Sequence, residues 1–305
     1  MTHSVVIVTR NRPQDVKGAL HCLAAQTICP DEILVVDASD TDQIAEFCSN
    51  EKPAGLPLRY LRADADICAQ RNIGIEESCG DIITFLDDDA RIGPEHCSTM
   101  LRYFENDASI SGVGGAMTGV SLPGLGERLF RNLFLIQTNR GWNRFRLSGF
   151  PDFGFAFPHD CEVDFLASTA ASFRKSAIGA LRFDTGTFSG RALGLQTGRA
   201  FAEDVWFSFQ VGLNGRLLVS PSLAFIHETS AASRDGVQLT QTLYYHAMRT
   251  VSGRIVHGII QRLARRWALF GCGLLVTIQT VAKRDLGYLT GYLASSRLRA
   301  SSGTA

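Results

Sequence analysis

The sequence predicts an α/β fold with a mainly parallel central sheet, flanking helices and a C-terminal helical appendage. Three observations carry that expectation. Strand-like and helix-like segments alternate through the first ~115 residues, polar side chains collect where the predicted strands end, and the pattern turns helical from Leu239 onward. Hydrophobic residues make up 45% of the 305-residue chain, enough for one sizeable core and a smaller appendage.

The elements follow in order. Ser4–Val8 is a β-branched run and reads as the first strand. Pro13 suits the first turn of a helix, where its missing N–H is not needed, and Val16, Leu20, Leu23 and Ala24 follow at helical spacing. Glu32–Val36 is the second strand, ending at Asp37; Asp40 or Thr41 is expected to cap a helix carrying Ile44, Ala45, Phe47 and Cys48. Leu58–Leu61 is the third strand, and Ile67–Ser78 is helical with Gly80 as its stop. Asp81–Leu86 is apolar enough to be a central fourth strand, followed by a helix over Pro94–Phe104 and a strand over Ser111–Met117.

Residues 121–165 change character: Arg128, Arg131, Arg140, Arg144 and Arg146 are interleaved with Leu129, Phe130, Leu133, Phe134, Trp142 and Phe145. A helix with a substrate-facing loop, a membrane-touching flap and an amphipathic cover over the sheet all fit this pattern. Residues 163–230 return to α/β texture. Near the C-terminus, Arg262, Arg265 and Arg266 precede the apolar run Trp267–Ala282, and Lys283 and Arg284 follow it. The run is shorter than the ~20 residues that span a bilayer, so a helix lying in the membrane interface and a helix buried against protein are both open.

Composition excludes some functions. Acidic and basic residues balance at 30 each, so no global field favours nucleic acid. The eight cysteines are scattered without a Cys-x-x-Cys pair, which reads as reduced thiols rather than a zinc cluster. Only Met1-Thr2-His3 precede the first apolar run, so no signal peptide is expected and the chain is placed in the cytoplasm.

The chemistry-bearing residues sit at predicted strand and helix ends. Thr9, Asp37 and Asp87-Asp88-Asp89 share the carboxyl edge of one sheet, where ligands of open parallel sheets bind. Three adjacent carboxylates repel one another unless a cation compensates, and hard oxygen ligands suit Mg2+ or Mn2+; an acidic turn capping the next helix also fits. Glu203-Asp204 opens an amphipathic helix, either as a cap complementing the helix dipole or with Asp204 as a general base. His227 ends an apolar stretch and fits a third metal ligand, a phosphate contact or a satisfied, partly buried histidine. Arg71, placed near a helix start, fits a diphosphate contact or a surface salt bridge.

Over residues 4–230 the chain resembles the family-2 glycosyltransferases, which have the GT-A fold. The resemblance rests on Thr9-Arg10-Asn11-Arg12-Pro13, Ala25-Gln26-Thr27, Ile33 to Asp40, Ala69-Gln70-Arg71-Asn72-Ile73-Gly74-Ile75, Ile83 to Asp89, Glu203-Asp204 and His227, in that order and spacing. It implies that Thr9 and Asp37 contact the nucleotide base, that Arg71 contacts base or diphosphate, and that Asp87 and Asp88 contact the ribose and nucleotide. Arg12 joins this donor-binding set. Asp89 corresponds to the main metal ligand, with His227 beside it, and Asp204 to the catalytic base of an inverting transferase, with Glu203 in the acceptor pocket. Ala167–Arg174 resembles the acceptor-side segment that precedes a Phe-Asp element, here Phe183-Asp184. Two departures bear on specificity: Asp37-Ala38-Ser39-Asp40 stands where Asp-Asp-Gly-Ser or Asp-Asn-Gly-Ser is common, and the acceptor-side segment lacks its usual leading glycine.

The resemblance divides the chain into a transferase domain over 1–235, with a nucleotide-binding half at 1–118 and an acceptor half at 119–235. Beyond the resemblance, the pattern adds a helical region at 236–294, for which membrane contact and burial against protein both stay open, and a disordered tail at 295–305. The implied partners are a nucleotide-sugar donor, a glycan or lipid-linked acceptor and the cytoplasmic membrane face, with no nucleic acid. A sugar nucleotidyltransferase is disfavoured because Thr9–Pro13 holds no glycine. A non-catalytic nucleotide-sugar-binding partner is disfavoured by the intact acidic sets.

Overall fold

The β-branched run at the N-terminus forms β1 (His3–Thr9), and every one of its residues is buried. In this computed structural model the described residues are 1–118, 123–138, 140–155, 157–195, 197–228 and 236–298. The chain falls into two units, one of residues 1–119, 156–183 and 207–233, the other of residues 120–155, 184–206 and 234–305.

The first unit alternates as the sequence predicts: β1, α1 (Pro13–Ala24), β2 (Glu32–Asp37), α2 (Gln43–Asn50), β3 (Leu58–Arg62), α3 (Ile67–Glu77) and β4 (Ile82–Asp87). A short β5 (Ala90–Ile92) follows the acidic run, then α4 (His96–Asn106) and β6 (Ile110–Thr118). The α2 cap differs from expectation: Asp42 is the N-cap residue and makes no side-chain cap bond, because Asp40 is held instead by Arg10 and Asn11. By contrast Asp66 does cap α3, accepting from the Ala69 N–H at 3.0 Å.

The second unit opens with α5 (Leu125–Leu133) and a hairpin of β7 (Arg140–Phe145) and β8 (Pro151–Gly154). Back in the first unit come β9 (Cys161–Val163), β10 (Ala170–Arg174) and the short α6 (Lys175–Ile178). The division between units then falls within α7 (Glu203–Gly212), and β11 (Arg216–His227) completes the sheet. The second unit ends in α8 (Val237–Ile255), α9 (Ile259–Lys283) and α10 (Gly287–Ser295). Residues 299–305, most of the tail expected to be disordered, lie outside the described residues, while Ser295 ends α10.

The sheet runs β3-β2-β1-β4-β10-β6-β11-β5, with β9 on β11. The expected central sheet is present, its parallel core extended by antiparallel strands. The block β3-β2-β1-β4 and the pair β6-β11 are parallel, but β10 enters antiparallel between β4 and β6, and β5 and β9 pair antiparallel with β11. Short apolar strands such as Ala170–Arg174 bury both faces in either direction, so their pattern does not encode orientation.

Among the described residues, two apolar clusters pack against the sheet. On one, Val5, Ile7, Ile33 and Val35 pack with Val16, Leu20 and Leu23 of α1 and Ile44 and Phe47 of α2. On the other, Met100, Leu101 and Phe104 of α4 pack with Ile82, Val113 and Leu218. Gly74 lets α3 lie against β1: a Cβ there would stand 2.3 Å from the Val6 side chain.

Candidate functional site

Parallel pairing brings the carboxyl ends of β1, β2 and β4 to one edge. The register sets Thr9 opposite Asp37 and Val8 opposite Asp87. Buried Gln70, on α3, ties two of these ends together: its side-chain N–H groups donate to the Thr9 and Val36 carbonyls, each at 2.9 Å.

The acidic run forms the centre of this edge. Asp88 is buried; it accepts from Thr9 Oγ1 at 2.7 Å and from Arg12 Nη1 at 3.1 Å. Burial pushes its pKa up to about 7, against the hydrogen bond from Thr9 and the charge of Arg12. The same Arg12 Nη1 stands 3.1 Å from Asp89 Oδ2, so one guanidinium bridges two neighbouring carboxylates. Asp87 pairs with Arg71 at 3.2 Å.

His227 arrives from the far end of the sequence. β11 pairs antiparallel with β5 so that His227 lies opposite Ala90, and the Glu228 N–H donates to the Asp89 carbonyl at 2.8 Å. The imidazole Nε2 then sits 2.8 Å from Asp89 Oδ1. Burial would raise the Asp89 pKa, but the His227 hydrogen bond and charge, with Arg12, outweigh it and hold the carboxyl below its ordinary value. The hydrogen bond to Asp89 raises His227 in turn. Asp87, Asp89 and His227 each offer one ligand atom, and these atoms lie within 4.8 Å of one another. Two hard carboxylate oxygens and an imidazole nitrogen suit a divalent cation of the Mn2+ or Mg2+ type.

The other expected residues are not among those three ligands. Asp37 is fully buried and presents no surface of its own; it accepts from the Ser39 N–H at 2.8 Å, from the Ser39 hydroxyl and from Tyr60 OH at 2.9 Å, with Arg62 at 3.6 Å. Arg71 lies in the middle of α3, not near its start, and is buried, with its guanidinium carbon 5.3 Å from the Phe183 ring centroid. Glu203 and Asp204 form the first turn of α7 and belong to the second unit. Glu203 is buried, and Asp204 Oδ1 accepts from the Val205 N–H at 2.8 Å.

Sequence reasoning missed the supports of this edge. Tyr60 and Arg62 alternate along β3 and reach Asp37 and its loop, a period-two signal present in Leu58–Arg62. Asn72 clamps the Phe183 backbone with bonds of 2.9 and 2.8 Å. Phe85, Phe173, Phe183 and Phe207 form an aromatic cluster, with Phe183 and Phe207 stacked at 4.0 Å. No sequence spacing links those four.

The sequence profile described as glycosyl transferase family 2 matches residues 4–180. The chain belongs to that family. Its fold is the GT-A fold. Among its relatives is the amylovoran biosynthesis glycosyltransferase AmsB of Erwinia amylovora, 30% identical over 93 residues, covering 29% of this chain and 31% of AmsB. The aligned stretches span between 17% and 39% of the length of the curated relatives it matches. Many solved structures share the fold of this family 2 chain. S. aureus TarS 1–349 in complex with UDP-GlcNAc has a TM-score of 0.57 at 16% identity, covering 97% of this chain and 92% of that one. GalNAc-T7 with UDP, GalNAc and Mn2+ has a TM-score of 0.60 at 14% identity, covering 98% of this chain and 55% of that one.

Proposed function

We propose that the chain is a metal-dependent, inverting glycosyltransferase that moves a sugar from a nucleoside-diphosphate donor to a hydroxyl of a glycan or lipid-linked acceptor, working as a peripheral protein at the cytoplasmic membrane face. The observation that carries this reading is the convergence of Asp87, Asp89 and His227 at the carboxyl edge of the sheet. The company of TarS with UDP-GlcNAc, of GalNAc-T7 with UDP and Mn2+, and of a polysaccharide-biosynthesis relative supports it.

In this reading Asp89 and His227 would hold the ion, with Asp87 beside them. A bound divalent cation supplies charge neutralisation to the departing diphosphate. Arg12, which bridges Asp88 and Asp89 in the structure, would be free to meet the phosphates if a cation replaced it as counter-charge. Thr9 and Asp88 receive the nucleoside. Asp37 acts through what it anchors: with its carboxylate buried, the Ser39–Tyr60–Arg62 rim around it meets the base. Arg71 fixes the Asp87 carboxylate. Asp204 takes the proton of the acceptor hydroxyl while that oxygen attacks the anomeric carbon from the face opposite the leaving group, with Glu203 at its side.

The test is a panel of UDP-, GDP- and ADP-sugars read by thermal shift with and without Mn2+, followed by transfer assays with the donor that stabilises. Stabilisation by one nucleotide class that requires the metal is expected. Full transfer activity in excess chelator removes the metal from the scheme. Nucleotide binding with neither transfer nor hydrolysis points instead to a non-catalytic nucleotide-sugar-binding partner.

A further inference from the structure

Helix α9 repeats large apolar side chains every three or four residues on one face: Ile260, Leu263, Trp267, Phe270, Leu274 and Ile278. They are between 38% and 71% exposed. The opposite face, with Ala264, Ala268, Cys272 and Val276, is buried in the second unit. Within that unit α5 adds a second stripe, Leu125, Leu129 and Leu133, each 62–64% exposed, and none of its residues is buried.

The two stripes are fastened together. The Phe134 ring stacks on Trp267 with centroids 4.7 Å apart, and Trp267 Nε1 donates to the Leu133 carbonyl at 2.8 Å. Gly271 permits this approach, since a Cβ there would stand 2.3 Å from Phe134. A face of two joined apolar stripes is larger than the scattered exposed leucines ordinary on soluble proteins.

Charge selects what covers it. The chain is neutral overall, yet α9 through Arg284 carries no acidic residue. Arg262 and Arg266 are exposed towards its start, Lys283 and Arg284 at its end. A second copy of α9 laid on this face, parallel or antiparallel, would set cations against cations at both ends. Among the described residues no helix is long and apolar enough to cross a membrane. An apolar stripe bracketed by cations is the pattern of a helix lying in the headgroup region of an anionic bilayer.

We propose that the α5–α9 face docks on the surface of an anionic bilayer, the apolar stripes entering the acyl boundary and the flanking cations meeting lipid phosphates. This deepens the reading of a membrane-borne acceptor given above and names the face and the lipid charge.

The test is co-sedimentation of the full chain with vesicles of phosphatidylcholine alone or mixed with phosphatidylglycerol. Binding to the mixed vesicles is expected, weakening as salt rises. Arg266→Gln with Lys283→Gln should weaken it about 25-fold, roughly fivefold for each cation, and Leu263→Glu with Ile278→Glu should abolish it. All four side chains are exposed, so the variants should keep the thermal unfolding midpoint and the nucleotide-induced shift. Absence of wild-type binding at low salt, or binding indifferent to both double variants, overturns the proposal. So does a concentration-dependent dimer lost in Leu263→Glu without vesicle binding, which assigns the face to a second copy. Vesicle binding that persists while sugar transfer fails upholds the docking face and counts against the transferase reading alone.

Discussion

The imidazole of His227 and the carboxylate of Asp89 meet at 2.8 Å, delivered by the antiparallel ladder that sets β11 against β5. The backbone bond from Glu228 to Asp89 reinforces the meeting. A ligand pair held by main-chain pairing is preorganised, so little ordering remains for a cation to impose.

His227→Ala should therefore weaken Mn2+ binding by at least ~10-fold while leaving the fold intact, the scale seen when a ligand set loses a member or its support. Asp89→Ala should remove metal-stimulated transfer. Mn2+ titrations followed by calorimetry, with and without UDP, check both; unchanged Mn2+ affinity in the two variants would falsify the cation site.

Asp204→Asn should lower transfer by ~10²–10⁴-fold, the usual contribution of a general base. The nucleotide-induced thermal shift should stay near wild type. Transfer at an unreduced rate would reassign the base.

Gln70→Ala should destabilise the chain and loosen the donor edge together. The amide serves the Thr9 and Val36 carbonyls from a buried position, and orphaning a buried acceptor costs about 1–3 kcal/mol. Urea unfolding should report a loss on the order of 2 kcal/mol, and the donor KM should rise more than kcat falls. Gln70→Glu should be worse, since a buried carboxylate cannot donate to both carbonyls.

The buried rings of His3 and His96 should pull stability down as pH drops from about 6.5 towards 4, a loss that Asp88, its pKa raised to about 7, partly offsets over the same window. Burial lowers the His3 pKa to about 4, with His96 adding to the effect, and burial alone lowers His96 to about 4. His3 Nε2 bonds Thr84 Oγ1 at 2.7 Å, while Nδ1 of each imidazole is buried with no partner among the described residues. The folded state therefore holds both rings neutral where the unfolded chain takes up protons. The contribution is complete above pH ~6.5, is lost through the window below it and levels off near pH 4, at up to ~3 kcal/mol for each ring. Urea midpoints measured across that window check the sign; His3→Phe should flatten the slope.

Much of the donor half was readable because repeated apolar runs end in polar residues. Val5-Val6-Ile7-Val8 ends at Thr9, Ile33 to Val36 at Asp37, and Ile82 to Leu86 at the acidic run, and the parallel register puts those ends together. Pairing partners were not readable. Nothing in Ala170–Arg174 encodes its antiparallel place between β4 and β6, because a strand buried on both faces looks the same in either direction. Side-chain partners were hidden as well. Asp37 at a strand end suggests an open carboxylate, but Tyr60 and Arg62 come from a neighbouring strand whose register fixes where they reach. The hairpin of β7 and β8 escaped because its turn, Arg146 to Phe150, sits in an arginine–aromatic stretch without strand alternation. The helical C-terminus was legible, yet the apolar run Trp267–Ala282 understated α9, which begins at Ile259 and continues its stripe through the basic segment.

The pairing of β11 with β5 also fixes when the three-ligand cluster can exist during synthesis. Asp87 and Asp89 leave the ribosome long before His227, and the profile match ends at residue 180, short of that histidine. A nascent chain paused within α7 carries the acidic run but not its imidazole. Completion of the cluster thus waits on β11, the strand that seats His227 beside Asp89.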